Sequence, residues 1–203
     1  MARPRLESSA IGISAAVFLS GAVLLGLELV ASRVLAPFFG NSIFVWGALI
    51  GVVLAGLSIG YWIGGVLADR YPAPQLLLGV LALGAGLTLL IPVVDDRVLE
   101  AVVDWDLGPR WNPLVAAVIL FGLPSVILAT ATPIAVRLRA RSLAGLGKTA
   151  GRLFAISTAG SIAGTFATAF FLIPEVGRTS CSGCWRQVSS SRPGSSRSAS
   201  ACC

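Results

Sequence analysis

Residues 26–70, GLELVASRVLAPFFGNSIFVWGALIGVVLAGLSIGYWIGGVLADR, decide the fold of this chain. The stretch holds parts of two strongly apolar segments joined by a short Pro/Gly/Asn turn, and each segment is long enough to cross a bilayer as a helix. A carboxylate, Glu28, and a guanidinium, Arg33, lie inside or at the end of the first segment. Such groups cost roughly 2.5–3.5 kcal/mol at the centre of an inserted helix. The fold has to compensate them, so function is sought first around them.

Working outward, composition sets the class. Of 203 residues, 56% are hydrophobic and 12% charged, and the mean hydropathy is +0.88. A soluble domain of this size carries about twice that share of charge. The expected fold class is therefore all-α, a polytopic transmembrane helix bundle. His is absent and the one Met is Met1, which disfavours a His-based metal or acid–base site. No metal site, cofactor or catalytic residue is expected. The net charge of +6 raises the question of nucleic acid. The basic residues cluster between apolar segments, however, as orientation by positive charge requires, so the expected partner is the lipid bilayer and not nucleic acid.

Five spans are expected, at about 10–31, 43–67, 75–94, 113–136 and 153–173, after a polar N-terminus at 1–9. The first apolar run is too long for a cleaved signal peptide and lacks a small-x-small exit, so it reads as a retained helix. In the second span small residues recur every four positions, as Gly47, Gly51 and Ala55 and again as Gly56, Gly60 and Gly64. Each series makes a smooth strip against which another helix, or a pathway, can lie. Gly160 and Gly164 repeat the spacing in the fifth span. The third span is expected to stop near Pro92. In the polar connection after it, Val94, Val98 and Val102 oppose Asp96, Glu100 and Asp104, which predicts a short interfacial helix anchored by Trp105 and Trp111. A cation-collecting acidic loop is the alternative. Pro124 and Pro133 are expected to bend the fourth span, with Ser125, Thr130 and Thr132 helping to satisfy the freed backbone groups.

With the N-terminus inside, the inner side holds Arg3, Arg5, Arg70, Arg137, Arg139, Arg141, Lys148 and Arg152, and the outer side only Arg97 and Arg110 among five carboxylates. That asymmetry predicts a multi-pass protein of the cell membrane with a cytoplasmic N-terminus. Glu28 and Arg33 are five residues apart, about 140° around a helix and ~7.5 Å along it, so a direct pair is poor and each is expected to meet a partner on another helix. Arg33 has the alternative of snorkelling to the interface. For Glu28, structural hydrogen bonding and proton or cation coupling both stay open. A seven-residue echo, AAVFLSG at 15–21 and AAVILFG at 116–122, hints at a three-helix repeat.

The segment GGVLADR at 64–70 is similar to the loop between the second and third helices of major facilitator transporters. The resemblance implies that Gly64 and Gly65 allow close packing and that Asp69 and Arg70 belong to a cytoplasmic gate. Together with 26–42 and with GRLFAISTAGSIAGTFATAFFLIPEVG at 151–177, residues 10–177 resemble the membrane region of spermidine-synthase-like proteins, in which a facilitator-like bundle is fused to an aminopropyltransferase domain. This wider resemblance implies the N-terminal half of a facilitator fold, a polyamine connection, and charged positions at Glu28 and Arg33. Nothing after residue 177 supplies the Gly-rich strand–helix turn or the acidic residues of the synthase. The implied role is a non-catalytic anchoring or regulatory module, partnered by a separately encoded synthase domain; the alternative is part of a secondary transporter that needs a second helical half.

Residues 178–203 differ in kind. All four Cys lie there, with Arg178, Arg186, Arg192, Arg197 and a run of Ser, and no apolar segment. A shifted reading frame is the expectation. A native disordered tail and a metal site on Cys181 and Cys184 are the alternatives, the latter short of two ligands.

Overall fold

The structure, a computed structural model, describes residues 3–140 and 145–174, with side chains from Ile11 onward. The 178–203 segment and its proposed frameshift lie outside the described residues. Among the described residues there is no strand. The helices are α1 (Arg3–Phe39), α2 (Ile43–Arg70), α3 (Pro74–Asp104), α4 (Trp111–Ala117), α5 (Leu123–Arg139) and α6 (Leu146–Ala167). Two π-helical segments interrupt this order, Val118–Gly122 between α4 and α5 and Thr168–Leu172 after α6.

Five continuous helical stretches of 27 to 31 residues are long and apolar enough to cross a membrane. At ~1.5 Å per residue each matches a bilayer with its headgroup layers. The fourth, Trp111–Arg139, is central: 56% of its most apolar window is buried, against 17% for the third and the fifth. The outside of the bundle is apolar, with Leu54, Trp62, Leu78, Leu89, Phe170 and Phe171 all more than half exposed. That distribution suits a hydrocarbon solvent. This is the architecture of a multi-pass membrane protein.

Two close pairs organise the bundle, α1 with α6 and α2 with α5. Glycine makes both possible. A Cβ at Gly160 would run into the backbone of Phe18, and one at Gly164 into that of Ala22. In the second pair, a Cβ at Gly60 would meet the Val126 carbonyl and Ala129, and one at Gly64 would lie 2.8 Å from the Thr130 Cα. Close approach of this kind drives helix association where hydrocarbon gives no hydrophobic incentive.

The turns have local causes. Gly40 takes the left-handed conformation (φ 71°) just past the end of α1 and donates its N–H to the Ala36 carbonyl. Ser42 then caps α2, its Oγ accepting from the Val45 N–H. Between α3 and α4, Gly108 has φ 93° and Asp106 φ 46°, and the buried Asn112 Oδ1 accepts from the Leu107 N–H at 3.0 Å.

The third span differs from its sequence expectation of 75–94. α3 runs through Pro92 without a break to Asp104. The valine face beyond Val94 lies on the bundle core, not on an interface: Leu99 and Val102 are 1% exposed and pack with Leu35, Val45, Leu49 and Phe121. Burial of that face outweighs the one backbone bond that Pro92 removes. The fourth span is handled differently. Pro124 has no N–H to give the preceding turn, and the chain widens into π geometry immediately before it.

Candidate functional site

The sites indicated by sequence separate into three regions. At one end of the bundle α1 carries Glu28 and Arg33. Glu28 is half-buried; Arg33 is exposed. Neither makes a hydrogen bond or ion pair among the described residues, so the partners expected on other helices are not found there. Arg33 instead borders a cavity of about 320 Å³ with Leu29, Ser32, Asn41, Trp46, Ala169 and Ile173. The elements that build it are the end of α1, the α1–α2 turn, the first turn of α2 and the π segment of the fifth span. The Ile173 N–H reaches back to the Thr168 carbonyl, five residues earlier, and this wider turn helps form the wall. The Ser32 hydroxyl is already committed, donating to the Leu29 carbonyl at 2.7 Å.

The opposite end carries the Gly-Gly-x-Leu-Ala-Asp-Arg motif. Asp69 pairs with Arg137 Nε at 3.0 Å, joining the end of α2 to the end of α5. Both side chains are at least half exposed, so the pair orients more than it stabilises. Arg70 is exposed beside it, in the last turn of α2. Of the two glycines, Gly64 is buried on α5, while a Cβ at Gly65 would meet nothing within 4 Å. Arg139, on the last turn of α5, donates to Ser14 Oγ of α1 at 2.7 Å.

The two small-residue strips of α2 have different surroundings. Gly56, Gly60 and Gly64 are buried against Ser125, Val126, Ala129 and Thr130 of α5. Gly47, Gly51 and Ala55 point out of the bundle, and a Cβ at either glycine would find open space.

One polar feature went unread in the sequence, and another departs from its reading. Ser20, Tyr61, Thr132, Ser157 and Ser161, from four helices, border a cleft of about 50 Å³ in which Ser161 donates to the Gly21 carbonyl at 3.1 Å. The departure is Ser125, fully buried against Gly56, whose Oγ has no hydrogen-bond partner among the described residues. Ser125 therefore does not serve the freed backbone groups, and Thr130 donates to the Ile127 carbonyl at 2.7 Å, which is not one of the carbonyls, Leu120 and Ala129, that lie four residues before the prolines. Hydroxyls scattered over four helices show no common spacing to read; only packing brings them together. Among the described residues no group of three or more His, Cys, Asp or Glu could hold a metal ion.

These features define the class: an all-α bundle with five helices able to span a membrane, polar groups inside it and a guanidinium-bordered cavity at one end. Compared with protein-family models, with curated proteins and with solved structures, the chain has no match in any of the three.

Proposed function

We propose that this chain is a non-catalytic membrane module that works by packing against a second membrane-embedded bundle, as half of a transporter-like assembly. The observation that carries this reading is the open strip of Gly47, Gly51 and Ala55. Glycine on a lipid-facing helix weakens the helix and gains nothing from lipid, but it suits close approach of another helix. Depth separates the candidate partners. Gly51 lies eight residues into α2, ~12 Å along the axis. A soluble synthase domain cannot reach that level; a second helical half can. The resemblance to spermidine-synthase-like membrane regions and to facilitator halves supports the same class and supplies the polyamine connection. On this reading the protein resides in the cell membrane with its N-terminus in the cytoplasm.

The test is assembly in native membranes. Gly51→Leu is expected to abolish co-purification of a second membrane component, and Gly86→Leu, at an equally open site on α3, to leave it intact. Equal behaviour of the two variants, or a wild type that extracts as a lone chain, refutes the half-bundle reading.

A further inference from the structure

The cavity at Arg33 has a chemistry of its own, independent of the half-bundle reading. A guanidinium stays charged at any physiological pH and presents a planar fork of donors suited to two oxygens of one anion. Among the described residues no carboxylate borders the cavity. Of the other guanidiniums at this end, Arg110 lies over the Phe44 ring at 5.5 Å. Arg33 has no ion-pair or hydrogen-bond partner among the described residues. The remaining groups are suited to complete an anion site. Asn41 carries an amide N–H₂ and Trp46 an indole N–H, both donors to an oxyanion, while Ser32 has turned its hydrogen to Leu29.

Depth narrows the anion. The first span, Ile11–Phe39, is 29 residues long, ~43 Å, which matches a bilayer including its headgroups. Arg33 stands six residues before its end, ~9 Å along the axis. That is the level where headgroup meets hydrocarbon, and where phosphodiester groups lie.

We propose that the Arg33 cleft binds a phosphate-type oxyanion, with Arg33 as the forked anchor and Asn41 as a second donor. The chemistry is shared by the phosphodiester of an anionic phospholipid and by a free phosphate, and the experiment separates the two. The full chain is purified in detergent with phosphatidylcholine, and thermal unfolding is followed on adding phosphatidylglycerol or, separately, inorganic phosphate. Phosphatidylglycerol is expected to raise the wild-type midpoint saturably by several degrees. Arg33→Gln should lose the shift, Arg33→Lys should keep only part of it, and Arg137→Gln at the opposite end should retain it in full. A shift produced by inorganic phosphate alone also supports the site and assigns it to a free solute. Helical circular dichroism checks that Arg33→Gln is folded; if it is not, Asn41→Ala, expected to weaken the response, takes its place. The proposal is overturned if neither anion shifts the wild type, or if the folded variant responds as the wild type does.

Discussion

Gly160 shows how much one atom decides here. Its missing Cβ lets the α6 backbone rest on the Phe18 carbonyl of α1, and the adjacent Ser161 hydroxyl reaches Gly21. A side chain at 160 must push two helices apart. Gly160→Val is therefore expected to cost at least the ~1–3 kcal/mol of an overpacked core, read as a lower thermal midpoint in detergent. Gly47→Ala is expected to leave the midpoint of the isolated chain unchanged or slightly higher, because its Cβ meets nothing and alanine favours the helix. The same experiment on Asp69→Asn should give no measurable change, since the pair with Arg137 is solvent-exposed. Arg33 was legible as an intramembrane charge from sequence alone; that it would stand without a partner beside a cavity was not. Glu28 was equally visible; that it would be half-buried with no hydrogen bond among the described residues was not.

At the scale of elements, the turn between α3 and α4 depends on one buried amide. Asn112 Oδ1 holds the Leu107 N–H while Asp106 and Gly108, both at positive φ, reverse the chain on either side of it. Asn112→Ala should cost about 1 kcal/mol, the worth of one such bond, and Asn112→Asp, which keeps the acceptor, should cost less; unfolding midpoints of the two variants decide it. The prolines repeat the lesson that a residue rule is settled by its helix. Pro92 was expected to end a span, yet α3 continues because Leu99 and Val102 bury on the core beyond it. Pro124 was expected to bend its span, and the chain has a π segment, Val118–Gly122, just before it. Sequence periodicity identified the valine face of 94–102 correctly but not what it would face. An apolar stripe looks the same whether lipid or protein covers it.

For the whole molecule, charge and packing speak to different questions. The proposed orientation puts residues 105–110 outside and the start of α6 inside. With the four Cys replaced by Ser, Leu107→Cys should react with an impermeant thiol reagent on intact cells and Lys148→Cys should not; the reverse pattern would overturn the orientation. Composition and apolar run length alone determined that the chain is an all-α bundle of five potential spans, because hydrocarbon requires each crossing segment to satisfy its own backbone and to be apolar on nearly every side. That requirement is local, so it is written in consecutive residues. Only the tertiary structure decided which helices pair, which of the two glycine strips of α2 is filled by α5, and which hydroxyls from four helices meet at one cleft. Those outcomes depend on contacts between residues more than sixty positions apart, such as Gly60 with Val126 and Phe18 with Gly160, and in an almost uniformly apolar sequence no hydrophobic pattern marks the inward face. Packing of backbone against backbone chooses it instead.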